Sequence, residues 1–302
     1  MTDPATRDPD RAFARLLRHW RQVRGVSQLA LATEAEVSVR HLSFLETGRA
    51  RPSREMVERL AAALDVPLAD RNDVLRAAGF APAYGQRPLG APELDHVRRA
   101  LEFILRQQEP YPAIVVDGGW DVVMRNDAAR RVFALFLDSP PLDRAVARNA
   151  LRATFHPDGL RRFIANWEEL ARPLLHAVQR DAAINPAAAA LRDELLAYPG
   201  VPARWRTPEA PAPAPPLLTM RLRRGPIRLA FFTTLTALAT PQDVTLEQLR
   251  IECFHPADAE TEAAAARLAA AAPANGRIHA GAAARAHVDG GAGRGDAGRA
   301  GV

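Results

Sequence analysis

Gln28-Leu29-Ala30-Leu31-Ala32-Thr33-Glu34-Ala35-Glu36-Val37-Ser38-Val39-Arg40-His41-Leu42-Ser43-Phe44-Leu45-Glu46-Thr47 is the stretch on which the fold turns. Its apolar positions keep a helical period on both sides of a break at Glu36-Val37-Ser38, with no strand-like alternation. Two short helices joined by so tight a turn need a small residue where they cross and apolar anchors on each. Ala32 is the small residue and Leu31 the inward side of the first helix. Val37 follows the turn, and Leu42 and Leu45 anchor the second helix. Val39, Arg40, Ser43 and Phe44 are then pushed outward, on the face that a recognition helix lays in a major groove.

The flanks extend the pattern. Helices are expected at about 10–24, 27–35, 38–46, 53–64 and 70–79. Gly25 and Gly48 are helix stops, and Ser27, Ser38, Ser53 and Asp70 are candidate N-caps, with Asp73 placed to reach back to the last of them. The segment Glu46-Thr47-Gly48-Arg49-Ala50-Arg51-Pro52-Ser53 carries two arginines where they can clamp phosphate. Between Arg11 and Leu64 ten arginines face five glutamates, so this segment alone matches the net charge of +5 of the whole chain. Arg15, Arg18, Arg54 and Arg59 read as solvated surface arginines, and the same reading stays open for Arg40 and Arg49.

At 302 residues the chain has room for one large or two ordinary domains. All 40 of its Lys+Arg residues are arginine, a bias of coding composition and no nucleic-acid signature by itself. The lone Cys253 excludes an internal disulfide and fits a reducing compartment. No apolar run approaches the ~20 residues that span a bilayer; the best, Leu229 to Ala239, is short and threonine-rich. Met1 to Asp10 is unlike a signal peptide. A cytoplasmic protein with no membrane partner is expected.

The expected organisation is a flexible N-terminus at 1–9, an all-α five-helix domain at 10–80 and a Pro/Gly-rich linker at 81–92. An α+β domain follows at 93–258, then a helix at 259–272 and a disordered Gly/Ala/Arg tail at 273–302. In the α+β domain a helix at about 93–108 precedes a hairpin, Ala113 to Val116 and Trp120 to Met124 around Asp117-Gly118-Gly119. A helix from about Asn126 to Leu137 comes next, and helices dominate 143–197. Val201 to Pro216 reads as an extended loop, Leu217 to Arg223 and Ile227 to Ala237 as a second hairpin, and Leu249 to Phe254 as holding a last strand.

Two resemblances stand on these residues. Leu17 to Leu64, with Arg-x-x-Arg-Gly-Val-Ser-Gln, Val-Ser, Leu-Glu-x-Gly-Arg and Arg-Pro-Ser, resembles the Cro- and cI-like (xenobiotic-response-element) helix-turn-helix family. Glu36 departs from it, standing where the turn usually has glycine; a positive φ there would cost on the order of 1 kcal/mol. The resemblance implies double-stranded DNA as partner, with phosphate contacts from Ser27 and the helix start at Ser38, and base or groove contacts from Gln28, Val39, Arg40, Ser43 and Phe44. Gln28 suits adenine and Arg40 guanine; Arg49 and Arg51 would position the duplex.

Further along, Glu109-Pro110-Tyr111-Pro112-Ala113, His156-Pro157-Asp158-Gly159-Leu160, Ala197-Tyr198-Pro199-Gly200, Thr240 to Leu246 and Glu252 to Asp258 occur in an order that resembles the MmyB-like regulators. In these a PAS-like domain follows the same helix-turn-helix, and the Pro112 to Ala128 stretch has the texture of a PAS opening hairpin. The resemblance implies a regulator of transcription that binds a small apolar, fatty-acid-like ligand; a homodimer with no cofactor is expected. Phe103, Phe133, Phe136, Phe155, Phe163, Trp167 and Phe231 are candidates to line its pocket and Arg161 to meet a head group; a plain core role remains the alternative for each.

Catalysis has little support. His156, Asp158, Glu252, Cys253, His255 and Asp258 are the only suggestive groups, and the two His-Pro segments read as helix starts capped by an acid. Nucleophile elbow, phosphate loop and zinc spacing are all missing from the sequence. The rival reading, also non-enzymatic, is a protein-interaction adaptor with a C-terminal dimerisation module.

Overall fold

In the computed structural model, residues 9–137, 142–182, 186–206, 217–271 and 279–280 are described. The chain forms two compact units, Met1–Arg87 with Ala239–Glu247, and Pro88–Leu238 with Gln248–Val302.

The first unit is built on α1 (Pro9–Val23), α2 (Gln28–Glu34), α3 (Val39–Thr47), α4 (Arg54–Ala63) and α5 (Leu68–Ala77). Helices this short hold by packing and caps rather than propensity. Phe13, Leu17 and Trp20 turn one face of α1 into the core, where it meets α3 and α5. The Ser27, Ser38 and Ser53 hydroxyls accept from the backbone N–H groups of Ala30, His41 and Met56, three residues on. Gly48, at φ 72°, ends α3 in the left-handed region. Glu36 sits at φ 53°, so the turn does carry the strain expected of a non-glycine residue there.

Asp70 does not cap α5. That helix starts two residues earlier, after Pro67, which offers no side-chain acceptor. The N–H of Leu68 donates instead to Glu247 Oε2 at 2.7 Å, an acceptor 179 residues away in sequence. Asp73 pairs forward with Arg76 rather than back to the helix start. The unit also takes in residues 81–87, read from sequence as linker, and 239–247, read as part of the following domain. Buried Asn72 fixes the former, accepting from the Ala83 and Tyr84 N–H groups and donating to the Tyr84 carbonyl. Asp243 fixes the latter: it accepts from Arg87 Nη1 at 3.0 Å and from the Thr245 N–H at 2.9 Å.

The second unit runs α6 (Asp95–Gln107), β1 (Ala113–Val116), β2 (Val122–Arg125), α7 (Asp127–Leu137), α8 (Arg144–Ala147), α9 (Ala150–Phe155), α10 (Trp167–Asp181) and α11 (Pro186–Ala197). It continues through β3 (Thr219–Arg224), β4 (Ile227–Thr236), β5 (Arg250–Pro256), α13 (Ala259–Ala270) and the short β6 (His279–Ala280), while α12 (Val244–Gln248), between β4 and β5 in sequence, belongs but for its last residue to the first unit. The strands form one sheet in the order β3-β4-β5-β1-β2-β6, antiparallel throughout, which makes this unit α+β. Trp120, expected to begin the second strand, has φ 65° and belongs to the turn before it.

Asn126 joins β2 to α7 from a buried position. Its side chain accepts from the Ala113 and Ala129 N–H groups and donates to the Tyr111 carbonyl. One core lies between the sheet and α7, around Ile114, Val132, Phe136, Phe231 and Phe254, and a second joins α9, α10 and α11 around Phe155, Leu175 and Leu195. Ala203–Arg206 is a turn of 3-10 helix where an extended loop was expected, and the rest of that loop, 207–216, lies outside the described residues. So do residues 1–8 and 273–302 apart from β6, on which the expectations of a flexible start and a disordered tail fell.

Candidate functional site

The outer face of α3 is assembled by what holds its inner face. Leu42 and Leu45 are fully buried, and Glu46 is buried with them at 2% exposure. Its carboxylate takes a two-pronged bond from Arg21 of α1, Nε at 2.5 Å and Nη2 at 3.0 Å, and a third from Gln28 Nε2 of α2 at 2.8 Å. Arg18 Nη2 adds a bond to the Glu46 carbonyl at 2.6 Å. Burial alone would raise the Glu46 carboxyl; the hydrogen bonds from Arg21 and Gln28 outweigh it and hold the group below the usual carboxylate range. One acid thus ties α1 and α2 to α3.

With the inner face fixed, Ser38, Val39 and Arg40 are exposed at the start of α3, and Ser43 and Phe44 are half-buried beside them. The Arg40 guanidinium lies over the Phe44 ring, 5.5 Å from its centre, one helical turn apart. Arg49 and Arg51 are exposed beyond the helix stop. Gln28 plays a part the sequence did not signal: one of its amide N–H groups is committed to Glu46, while its oxygen and second N–H stay available.

The second unit encloses a pocket between the sheet and helices α7, α9 and α10. Its cavity volume is about 120 Å³, roughly tenfold what a single water needs. Phe133 and Phe231 line it, with Ile114, Leu170, Met220 and Phe254 among other apolar side chains. The remaining sequence candidates lie elsewhere. Phe103 is 57% exposed on α6, and Phe136 and Phe155 are spent in the two cores. Phe163 packs against Phe136, and Trp167 against Phe155. Arg161 donates to the carbonyls of Pro199 and Gly200 and lies over the Trp167 ring.

The polar residues of the pocket are ones the sequence reading did not select: Arg125 on β2, Thr154 on α9, Thr233 on β4 and Glu252 on β5. Burial pushes the Glu252 carboxyl up to about 7, and a hydrogen bond with Thr233 offsets only part of this. Burial, then the charge of Arg130, lowers the Arg125 guanidinium from its usual value. A signal was available: Glu252 is two residues from Phe254, so in a strand both point to one face.

Two of the acids weighed for catalysis take part in local hydrogen bonding. Asp258 caps α13 by accepting from the Thr261 N–H. Asp158 caps no helix; its own N–H donates to His156 Nδ1. The Cys253 thiol, on the opposite face of β5 from Glu252, is pushed up by burial and then by the Glu252 charge, against any ready thiolate. No group of acids, histidines and cysteines able to hold a metal occurs among the described residues, nor a helix long and apolar enough to cross a membrane.

A helix-turn-helix unit with an exposed outer face on α3, followed in sequence by an α+β unit around an apolar pocket, is the arrangement of a DNA-binding regulator that carries a ligand-binding domain. Known families agree with both halves: residues 97–268 match the MmyB-like transcription regulator ligand binding domain, and residues 12–74 match a helix-turn-helix domain. The chain belongs to the MmyB-like transcription regulators and is a DNA-binding regulator of transcription. Among solved structures, the clp gene regulator ClgR from Corynebacterium glutamicum is 29% identical over 34% of this chain and 96% of its own, with a TM-score of 0.21. An RNA-binding light-oxygen-voltage receptor is 12% identical over 85% of this chain and 62% of its own, with a TM-score of 0.26. No curated protein matches the chain.

Proposed function

We propose that the chain is a cytoplasmic, sequence-specific, one-component regulator that works as a homodimer under the control of a small apolar ligand. The observation that carries specific reading is the division of α3: Leu42, Leu45 and Glu46 are locked inward while Val39 and Arg40 are left toward solvent, with Ser43 half-buried beside them. Arg40 reads guanine, steadied by Phe44, and Gln28 contributes its free amide edge; Arg49 and Arg51 hold phosphate. A dimer would present two such faces to half-sites about one helical turn apart.

The apolar pocket supports a fatty-acid-like ligand, and the β1–β2 hairpin running through Asn126 into α7 supports a PAS-like description of the domain. The ligand favours one of two arrangements that differ in DNA affinity. What supports such coupling is the chain path: β4 and β5 both line the pocket, and the segment joining them, Ala239–Glu247, packs within the DNA-binding unit.

Full-length protein on its own promoter DNA and on random duplex at physiological salt tests the reading. Arg40→Ala should weaken operator binding by about 1–3 kcal/mol with little effect on random DNA. Arg49→Ala should weaken both and lower the salt slope by about one. Equal affinity of the unaltered protein for the two duplexes sinks specific reading, and full function in Arg40→Ala would favour an adaptor.

A further inference from the structure

The pocket walls are apolar except at a few points, and two of these share one row of the sheet. Ile114 of β1 pairs with Arg125 of β2 on one side and with Glu252 of β5 on the other, so all three side chains rise from the same face. Two strand spacings set the Arg125 and Glu252 backbones about 10 Å apart. Glu252 has Thr233 as its hydrogen-bond donor, which leaves most of the acceptor capacity of a carboxyl unused. Among the described residues the Arg125 guanidinium has no hydrogen bond or ion pair, although burial acts on it. Buried polar groups are as a rule satisfied. A ligand that filled the pocket with hydrocarbon alone would strand both.

We propose that the pocket selects an amphiphile whose polar end joins a carboxylate, for Arg125, to a hydroxyl a few atoms away, for Glu252. This rests on the reading of the pocket as a site for a fatty-acid-like ligand and narrows it to hydroxylated acids. The guanidinium fork matches a carboxylate two-pronged. A hydroxyl suits Glu252 better than an ammonium does, because it can donate to the carboxylate or accept from the acid form. With the carboxyl titrating near 7, both forms are present at neutral pH. The tail lies along Ile114, Phe231 and Phe254, and a plain acid of equal length would leave Glu252 facing hydrocarbon.

Titration of lipid-stripped full-length protein with dodecanoate and with 3-hydroxydodecanoate decides the matter. The hydroxy acid should bind at least about tenfold more tightly, since sites built to bond a hydroxyl reject analogues that lack it. Glu252→Leu should erase the difference between the two probes. Arg125→Gln should weaken both at least about tenfold; if that variant does not fold, the methyl esters of both probes replace it and should show the same loss. Equal or weaker binding of the hydroxy acid overturns the proposal, as does a difference that survives in Glu252→Leu. If neither acid binds, the fatty-acid-like reading fails first and the proposal with it.

Discussion

Glu46, buried in the helix-turn-helix, and Glu252, half-buried in the pocket wall, are both carboxyls shielded by protein, and the shielding ends in opposite results. Around Glu46 the chain supplies Arg21 and Gln28, and the carboxyl is held below its ordinary range. Around Glu252 the described residues supply Thr233 alone, and the carboxyl rises to about 7. A fully partnered buried acid acts as a strut, fixing the angle between helices that must fit a groove. A half-partnered one keeps unspent capacity and is suited to meeting something that arrives. Under the function proposed above, the difference separates a surface made rigid beforehand from a site that a ligand would complete.

The largest effect should come from breaking the strut. Glu46→Ala leaves Arg21 without its partner at a site where its side chain is only 17% exposed. Removing one member of such a pair should destabilise the first unit by about 3 kcal/mol, read by urea unfolding of the full chain. A loss below ~1 kcal/mol would show that helix packing alone holds α3.

The opposite substitution should stabilise. Since the Glu252 carboxyl titrates near 7 against an ordinary 4.5, the folded chain holds that proton more tightly than the unfolded chain. Stability therefore falls as pH rises from about 4.5 to 7, by at most about 1.4 kcal/mol per pH unit, and the cost is fully present above that window. Glu252→Leu should flatten this slope. It should also raise stability at pH 8 by roughly 2 kcal/mol, after allowance for solvent in the pocket. Denaturation midpoints at pH 4.5 and pH 8 measure both. An unchanged slope would mean that Glu252 ionises freely and that the contrast with Glu46 is false.

Much of the first unit was legible because its chemistry is local. Ser27, Ser38 and Ser53 bond three residues ahead, and Gly48 closes the helix it follows. The Glu46 network, which joins positions 18 to 28 residues apart, left only the fixed Leu-Glu-x-Gly-Arg spacing as its trace. In the second unit the strands were found from β-branched runs, but of the pocket lining only Phe133 and Phe231 were. Large aromatics were natural candidates, yet Phe136 and Phe155 serve the cores, while the ionisable groups of the pocket are Arg125 and Glu252. Those two meet only through β1, a pairing set by sheet order and absent from any local pattern.

A third glutamate tests how far the contrast extends. Glu247 lies by sequence between two strands of the pocket wall, yet its carboxylate receives the Leu68 N–H of the DNA-binding unit. It acts there as the cap that Pro67 cannot supply, so Glu247→Ala should cost that unit about 1 kcal/mol. Asp70 gives an internal check. Its carboxyl is raised by burial, then by Asp73 and Glu247, so removing Glu247 should let it fall back toward its ordinary value. Glu247→Gln retains an acceptor without the charge; it should recover most of the stability while keeping the Asp70 relaxation, read by denaturation and by NMR titration. If Gln recovers nothing, the charge near the helix start matters more than the hydrogen bond. Glu247 would then resemble neither a strut nor an open site, but an electrostatic tether from the strand connection to α5.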